Sequence, residues 1–165
     1  MSDVRTLPHP EAPPARIARA WLLVALWSSL VWWLGSDAFG APVTSHYLGP
    51  LLEWLWPSSS PAQRWQVMMT IRKVAHPSVY AVLAGLAFRA ALLSGVSGLA
   101  RGAAIALAMA VSIAGLDEMR QTRTHTRTGA ASDVGLDAAG ASAALAALGA
   151  LRRRTRTPTH DAVVG

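Results

Sequence analysis

Four long apolar runs alternate with short polar segments along the chain. The runs cover residues 17–35, 67–93 (with 74 as an alternative start), 102–116 and 134–151. At about 1.5 Å per residue, roughly 20 helical residues cross a bilayer core of about 30 Å. Strand signals and internal repeats are absent from the sequence pattern. It therefore predicts an all-α membrane protein built as a bundle of four transmembrane helices.

A shorter apolar stretch follows the first run. Residues 46–57 (HYLGPLLEWLWP) are too few to cross a bilayer, and they include Glu53 and two Trp residues. This mixture indicates an amphipathic or re-entrant helix at the membrane interface. The polar residues 58–63 (SSSPAQ) then predict a turn that caps the second span. Five of the seven Trp residues lie between positions 32 and 65, which predicts an aromatic belt at one membrane surface.

The two ends of the chain are polar. Residues 1–15 are rich in proline and predict a disordered tail, and residues 153–165 predict a second, basic tail, so that 16–152 form the membrane domain. A cleaved signal peptide is the alternative for the first span, since small residues near 38–41 would suit a peptidase. The length of the run and its paired tryptophans favour a retained helix.

Composition and charge agree with a membrane location. Hydrophobic residues make up 52% of the chain and charged residues 15%, against roughly 25% charged residues in soluble domains. The net charge of +6 arises mainly from arginines near the two ends. Such clusters mark cytoplasmic ends in membrane proteins, so the sequence predicts two cytoplasmic termini and no nucleic-acid partner. The lack of cysteine excludes disulfides, thiolate zinc sites and cysteine nucleophiles.

The segment that joins the third and fourth spans runs against this charge trend. It would face outward, and yet it carries three arginines, which are Arg120, Arg123 and Arg127. The flanking residues 117–118 and 133–137 supply four acids. Charge facing lipid is costly, so these groups are expected to face the bundle interior as a polar cluster at the outer surface.

Helical spacing brings further polar residues to the same level. Lys73, His76 and Tyr80 follow an i, i+3, i+7 pattern on one face of the second span. Glu118 and Gln121 share a face of the third span. On the fourth span Asp133, Asp137 and Gly140 are aligned, and the glycine is expected to let the neighbouring helix approach the acids. The many small residues of this span predict that it is the most closely packed helix.

Three motifs occur in order along the chain: Lys-x-x-His-x-x-x-Tyr, Asp-Glu-x-x-Gln, and an Arg followed by Asp-x-x-x-Asp-x-x-Gly. Together they resemble the VanZ-like family. The matching residues are Lys73, His76, Tyr80, Asp117, Glu118, Gln121, Arg127, Asp133, Asp137 and Gly140. The resemblance covers roughly residues 70–150. It implies a small multi-pass protein of the bacterial inner membrane, from a family associated with glycopeptide (teicoplanin) resistance and without a settled biochemical activity.

The chain departs from the family pattern at two places. Many relatives carry His just before the Gln, where this chain has Arg120. Many also carry Pro-Gly before the arginine of the loop, where this chain has Thr-His-Thr at 124–126. A missing imidazole counts against a hydrolase, and whether the protein is an enzyme stays open at this point.

Four roles fit the charged residues. The first is binding of anionic lipid headgroups or polyprenyl-phosphate-linked precursors, since arginine makes forked contacts with phosphate. The ligand-binding candidates are Lys73, Arg120, Arg123, Arg127 and Gln121. Such binding would alter glycopeptide susceptibility by changing access to the cell surface.

The second role is catalysis on a lipid phosphate as a hydrolase or transferase. Its candidate catalytic residues are His76, Glu118 and Asp133, while Tyr80, Asp117, Asp137 and Gly140 would support them. The other two roles are a purely structural charge cluster and, for a homodimer, a transport path. None of the motifs requires a cofactor. His76, Asp133 and Asp137 carry groups that suit a divalent ion, but the sequence does not predict a metal site.

Overall fold

The computed structural model describes residues 12–122 and 131–155. These residues form five α-helices: α1 (Pro14–Leu34), α2 (Ala41–Leu55), α3 (Pro61–Leu93), α4 (Leu99–Gln121) and α5 (Ala131–Arg154). A 3-10 turn at Asp37–Phe39 precedes α2. The helices α1, α3, α4 and α5 are long and apolar enough to cross a membrane. The prediction of an all-α, multi-pass membrane protein with a short helix after the first span is confirmed.

Three sequence predictions fall outside the described residues. They are the N-terminal tail up to residue 11, the loop 123–130 with its two arginines, and the basic tail from 156 onward. Within the described part, α1 begins at Pro14 and α5 continues to Arg154, so that both helices extend slightly beyond the predicted domain limits of 16 and 152.

The helices are longer than the apolar runs that predicted them. The largest difference at a helix start is in α3, which begins at Pro61 rather than at 67 or 74. Its start is fixed by a capping box. The Ser60 side chain accepts a hydrogen bond from the Gln63 backbone N–H (3.2 Å), and the Gln63 side chain accepts one from the Ser60 backbone N–H (2.7 Å). The predicted cap at 58–63 is confirmed, and the polar first turns of α3 were missed because hydropathy does not mark them.

Replacing Ser60 with alanine removes one half of this capping box. We expect the free energy of unfolding to fall by about 1 kcal/mol, because the Gln63 N–H loses its acceptor. Ser58→Ala is the matched control, since Ser58 lies in the same exposed turn outside the capping box. Equal unfolding midpoints for the two variants in a detergent unfolding titration would contradict the capping role.

Helix α3 is the centre of the bundle and packs against each of the other four helices. Leu83, Ala84, Ala87 and Phe88 of α3 are almost completely buried against small residues of α4 and α5. The pair of α3 and α5 has the most extensive contact. In the most apolar 18-residue window of each helix, 39% of the residues of α3 are buried, against 17% of those of α5. The expectation that the fourth span is the most closely packed was therefore wrong, since small residues give α5 one close face and leave its other faces outside the bundle.

Helix α2 lies against the first half of α3. Arg72 of α3 donates hydrogen bonds to the Phe39 carbonyl oxygen (2.9 Å) and to the Thr44 hydroxyl (2.6 Å). An ion pair between Arg64 and Glu53 adds a second link at 3.7 Å. The five tryptophans predicted to form an interfacial belt all have exposed side chains. This arrangement agrees with a short helix held at one end of the bundle.

Candidate functional site

Buried polar residues gather where the end of α4 and the start of α5 meet the middle of α3 and the end of α1. We call these residues the polar cluster: His76 and Tyr80 of α3, Asp117, Glu118, Arg120 and Gln121 of α4, and Asp137 of α5. Tyr80, Asp117, Glu118, Gln121 and Asp137 are each at most 9% exposed. So much buried polarity in a bundle of alanine and leucine requires internal partners.

Asp117 is the centre of the hydrogen bonds on α4. Its Oδ1 accepts a hydrogen bond from Arg120 Nη2, and its Oδ2 accepts one from Gln121 Nε2, both at 2.7 Å. The i+3 and i+4 spacing places both donors on the face of α4 that carries Asp117. With both oxygens engaged, Asp117 orients its neighbours. The sequence predicts only a supporting role for it.

Arg120 links α4 to α1. Its Nη2 also donates a hydrogen bond to the Trp32 carbonyl oxygen at 2.6 Å, and its guanidinium carbon lies 4.3 Å from the centroid of the Trp32 ring. The last carbonyls of a helix have no partner within the helix, so Trp32 near the end of α1 is a ready acceptor. Sequence reasoning missed this link because its acceptor is a main-chain atom.

Gly35 provides the space that this link needs. A Cβ atom at this position would meet the carboxylate of Asp117 and would lie 2.6 Å from Arg120 Nη2. The only sequence feature that could have indicated this role is the position of Gly35 at the end of an apolar run. A side chain here would push Asp117 and Arg120 away from α1.

The other half of the cluster joins α3 and α5. His76 Nδ1 lies 3.9 Å from Asp137 Oδ2. Asp137 is 4% exposed, and its Oδ1 has no hydrogen-bond partner among residues 12–122 and 131–155. One helical turn along α5, a Cβ atom on Gly140 would lie 2.7 Å from Pro77 Cβ. The close helix approach expected at this glycine is present, and it brings α5 directly against the backbone beside His76.

Two openings adjoin the cluster. A small cavity of about 70 Å³ is lined by His76, Tyr80, Asp117 and Gly35, together with apolar residues of α1 and α3. It has room for water but not for a drug-sized ligand, which takes about 300–1,000 Å³. A crevice of about 320 Å³ lies between α1 and α4, and its lining includes Trp32, Leu116 and Ile113. The crevice therefore runs along α1 and α4 to the Trp32 ring, which lies against the guanidinium of Arg120.

Two described candidate residues, Lys73 and Asp133, form no hydrogen bond or ion pair with the polar cluster. Lys73 is exposed and has no ion pair within the described ranges, although it shares a helix face with His76 by spacing. Asp133 is partly buried in the first turn of α5, with its Oδ1 3.5 Å from the Ser132 hydroxyl. Arg123 and Arg127 lie outside the described residues. The structure thus places the carboxylate of Asp137, which the sequence predicts in a supporting role, beside His76.

The described part of the chain contains no group of three or more His, Asp or Glu side chains placed to hold a metal ion. The arrangement suits other chemistry. Arg120 can contact an anion, the buried carboxylates can accept hydrogen bonds from hydroxyl or amine groups, and His76 with Asp137 can move a proton.

Comparisons with known proteins identify no relative of this chain. No family model, curated protein or solved structure matches the chain. The resemblance to the VanZ-like family thus rests on the three motifs alone, while the fold establishes an α-helical, multi-pass membrane protein.

Proposed function

We propose that the chain is a VanZ-like protein of the bacterial inner membrane whose polar cluster binds the headgroup of an anionic lipid or a lipid-linked cell-envelope precursor. In this proposal the termini are cytoplasmic and the cluster faces outward. The observation that carries the proposal is Arg120, which Asp117 and Trp32 hold in one orientation beside the crevice between α1 and α4.

The guanidinium of Arg120 retains donors for a ligand. Both of its hydrogen bonds use Nη2, so Nη1 and Nε have no partner among the described residues. A guanidinium edge of this kind suits the oxygens of a phosphate. Arg123 and Arg127, in the segment that joins α4 to α5, would add positive charge. That charge is needed, since the described cluster holds three buried acids and one arginine.

The buried acids favour a headgroup that also carries hydroxyl or amine protons. Asp137 Oδ1 is a buried acceptor without a hydrogen-bond partner in the described residues. An unsatisfied buried acceptor costs about 1–3 kcal/mol, which a ligand hydroxyl would recover. Glycerol headgroups and the sugars of lipid-linked precursors both supply such hydroxyls. The crevice between α1 and α4 would receive part of the hydrocarbon chain. Binding of a surface precursor would change its access to a glycopeptide.

A second candidate function is hydrolysis or transfer at a lipid phosphate. The observation that favours it is the pairing of His76 with Asp137 next to a cavity of water size. Asp137 would orient the imidazole, His76 would take a proton from a water molecule as that water attacks phosphorus, and Arg120 would stabilise the developing negative charge. The leaving alkoxide would then receive the proton from His76.

Native mass spectrometry of the detergent-purified protein tests the proposed function. We expect the parent to retain an anionic lipid or polyprenyl phosphate, and the Arg127→Gln variant to retain about tenfold less, as for the loss of one charged contact. Arg19→Gln is the charge-matched control, because Arg19 is an exposed residue near the start of α1. Equal retention by all three proteins would defeat the proposal.

A turnover assay on the retained lipid separates binding from catalysis. The binding proposal predicts no release of phosphate or alcohol by the parent. Turnover that is lost in both His76→Ala and Asp137→Asn, with lipid retention unchanged, would instead establish the enzyme. A cluster that only joins helices would leave the amount of retained lipid unchanged in the Arg127→Gln variant and would lower its unfolding temperature.

A further inference from the structure

A third opening lies at the opposite end of the bundle from the polar cluster. It is a groove of about 530 Å³ between α4 and α5, with Phe88 of α3 at its base. Its walls are almost entirely apolar, and they include Leu107, Leu145, Ala146 and Gly149. Small side chains on the facing helices leave this space open. The groove shares no lining residue with the polar cluster.

The length of the groove matches one leaflet of a bilayer. Its lining on α5 runs from Ser142 to Arg153. At about 1.5 Å per residue this is about 16 Å, close to half of a hydrocarbon core of about 30 Å. The groove therefore extends from the end of α5 to about the middle of the membrane, which is the depth that one acyl chain of a single leaflet occupies.

Positive charge lies at one end of the groove only. Arg153 contributes to its lining, and it stands in the run Arg152–Arg154 at the end of α5. The guanidinium of Arg152 lies 5.5 Å from the ring of Phe88, the residue at the base of the groove. An apolar channel with arginines at the membrane surface complements an acyl chain that carries an anionic headgroup.

We propose that this groove binds one acyl chain of an anionic phospholipid in the leaflet at the C-terminal end of α5, with its phosphate near Arg153. The inference is independent of the proposed function, which concerns the other end of the bundle. A helix from a second copy is a poorer occupant, because a helix is about 10 Å across and the described acids of α4 and α5 all lie at the other end of the bundle from these arginines. The bound lipid supplies packing contacts to the apolar side chains of α4 and α5 that line the groove.

Native mass spectrometry with two added lipids of identical acyl chains tests this inference. We expect the parent to bind phosphatidylglycerol more tightly than phosphatidylcholine. Ala146→Leu places a larger side chain in the groove, and we expect it to weaken binding of both lipids about tenfold. Ala147→Leu is the matched control, since Ala147 is the adjacent exposed residue of α5 outside the groove lining. Arg153→Gln is expected to remove the preference for phosphatidylglycerol while phosphatidylcholine binding is kept.

Two outcomes overturn the inference. One is equal lipid binding by Ala146→Leu and Ala147→Leu, and the other is a parent dimer that Ala146→Leu converts to a monomer. If Ala146→Leu does not fold, Gly149→Leu serves as the second variant, because an added Cβ at Gly149 meets no atom within 4 Å.

The Arg127→Gln variant distinguishes the groove from the polar cluster, because it must leave the lipid in the groove in place. If Arg127→Gln lost both the lipid of the polar cluster and the lipid of the groove, the two sites would not be independent.

Discussion

Gly140→Ala is expected to lower the free energy of unfolding by about 2 kcal/mol. The added Cβ would lie 2.7 Å from Pro77 Cβ and 2.9 Å from the Pro77 carbonyl carbon, and it would also meet the Pro77 carbonyl oxygen. These atoms belong to the backbone and the ring of α3, which cannot turn aside as a flexible side chain can. The two helices must therefore separate, and overpacking of this kind costs about 1–3 kcal/mol.

The control for this prediction is the same substitution on the same helix at Gly135. An added Cβ at Gly135 has no atom within 4 Å, and alanine is the better helix former by about 1 kcal/mol. Gly135→Ala should therefore be neutral or slightly stabilising. Reversible unfolding in mixed detergent measures both variants. Equal stability of Gly140→Ala and Gly135→Ala would show that α5 does not contact α3 closely at Pro77.

Arg120→Gln is expected to cost about 3 kcal/mol, the lower part of the range for breaking a buried ion pair. Asp117 is 3% exposed, and without Arg120 its negative charge keeps only the hydrogen bond from Gln121. The variant also loses the link from α4 to the Trp32 carbonyl. The Arg120 side chain is itself 26% exposed, which keeps the expected cost below the upper limit.

A double-mutant cycle identifies the cause of this loss. Asp117→Asn removes the buried negative charge, so the Asp117→Asn/Arg120→Gln double variant should be about 1 kcal/mol more stable than Arg120→Gln alone. Groups that interact directly show such non-additivity. Unfolding free energies of the parent, the two single variants and the double variant complete the cycle. Simple addition of the two single losses would mean that the pair at 2.7 Å contributes no coupling.

The sequence predicted the features that depend on local chemistry. Apolar runs of bilayer length predicted four spans, and the residues 58–63 predicted the cap of α3. The small residue at Gly140 predicted a close helix approach. The starts of helices were predicted poorly, as for Pro61, because a helix continues outside the bilayer wherever polar residues favour it. Hydropathy identifies the apolar segments that suit a membrane. It does not identify the residue at which the helical hydrogen bonds begin or end.

The arrangement of the polar cluster depended on tertiary structure. Spacing placed Lys73 on the face of His76, but spacing does not state whether a neighbouring helix reaches that level, and Lys73 is exposed. Asp117 became the central acid because the face of α4 that carries it turns toward the end of α1. Its partner Arg120 is bound to the Trp32 carbonyl, a main-chain acceptor that the residue type does not reveal.

The most direct test of the central claim is the rise in unfolding temperature that added anionic lipid produces. A ligand that binds only the folded protein raises its stability by mass action, whatever the stability without ligand. With the groove between α4 and α5 blocked by Ala146→Leu in every protein compared, we predict that phosphatidylglycerol or a polyprenyl phosphate raises the unfolding temperature of the parent and of Arg19→Gln, and raises that of Arg127→Gln far less. An equal rise in all three proteins, with Arg127→Gln differing only in its lipid-free unfolding temperature, would show that the polar cluster joins helices and binds no headgroup.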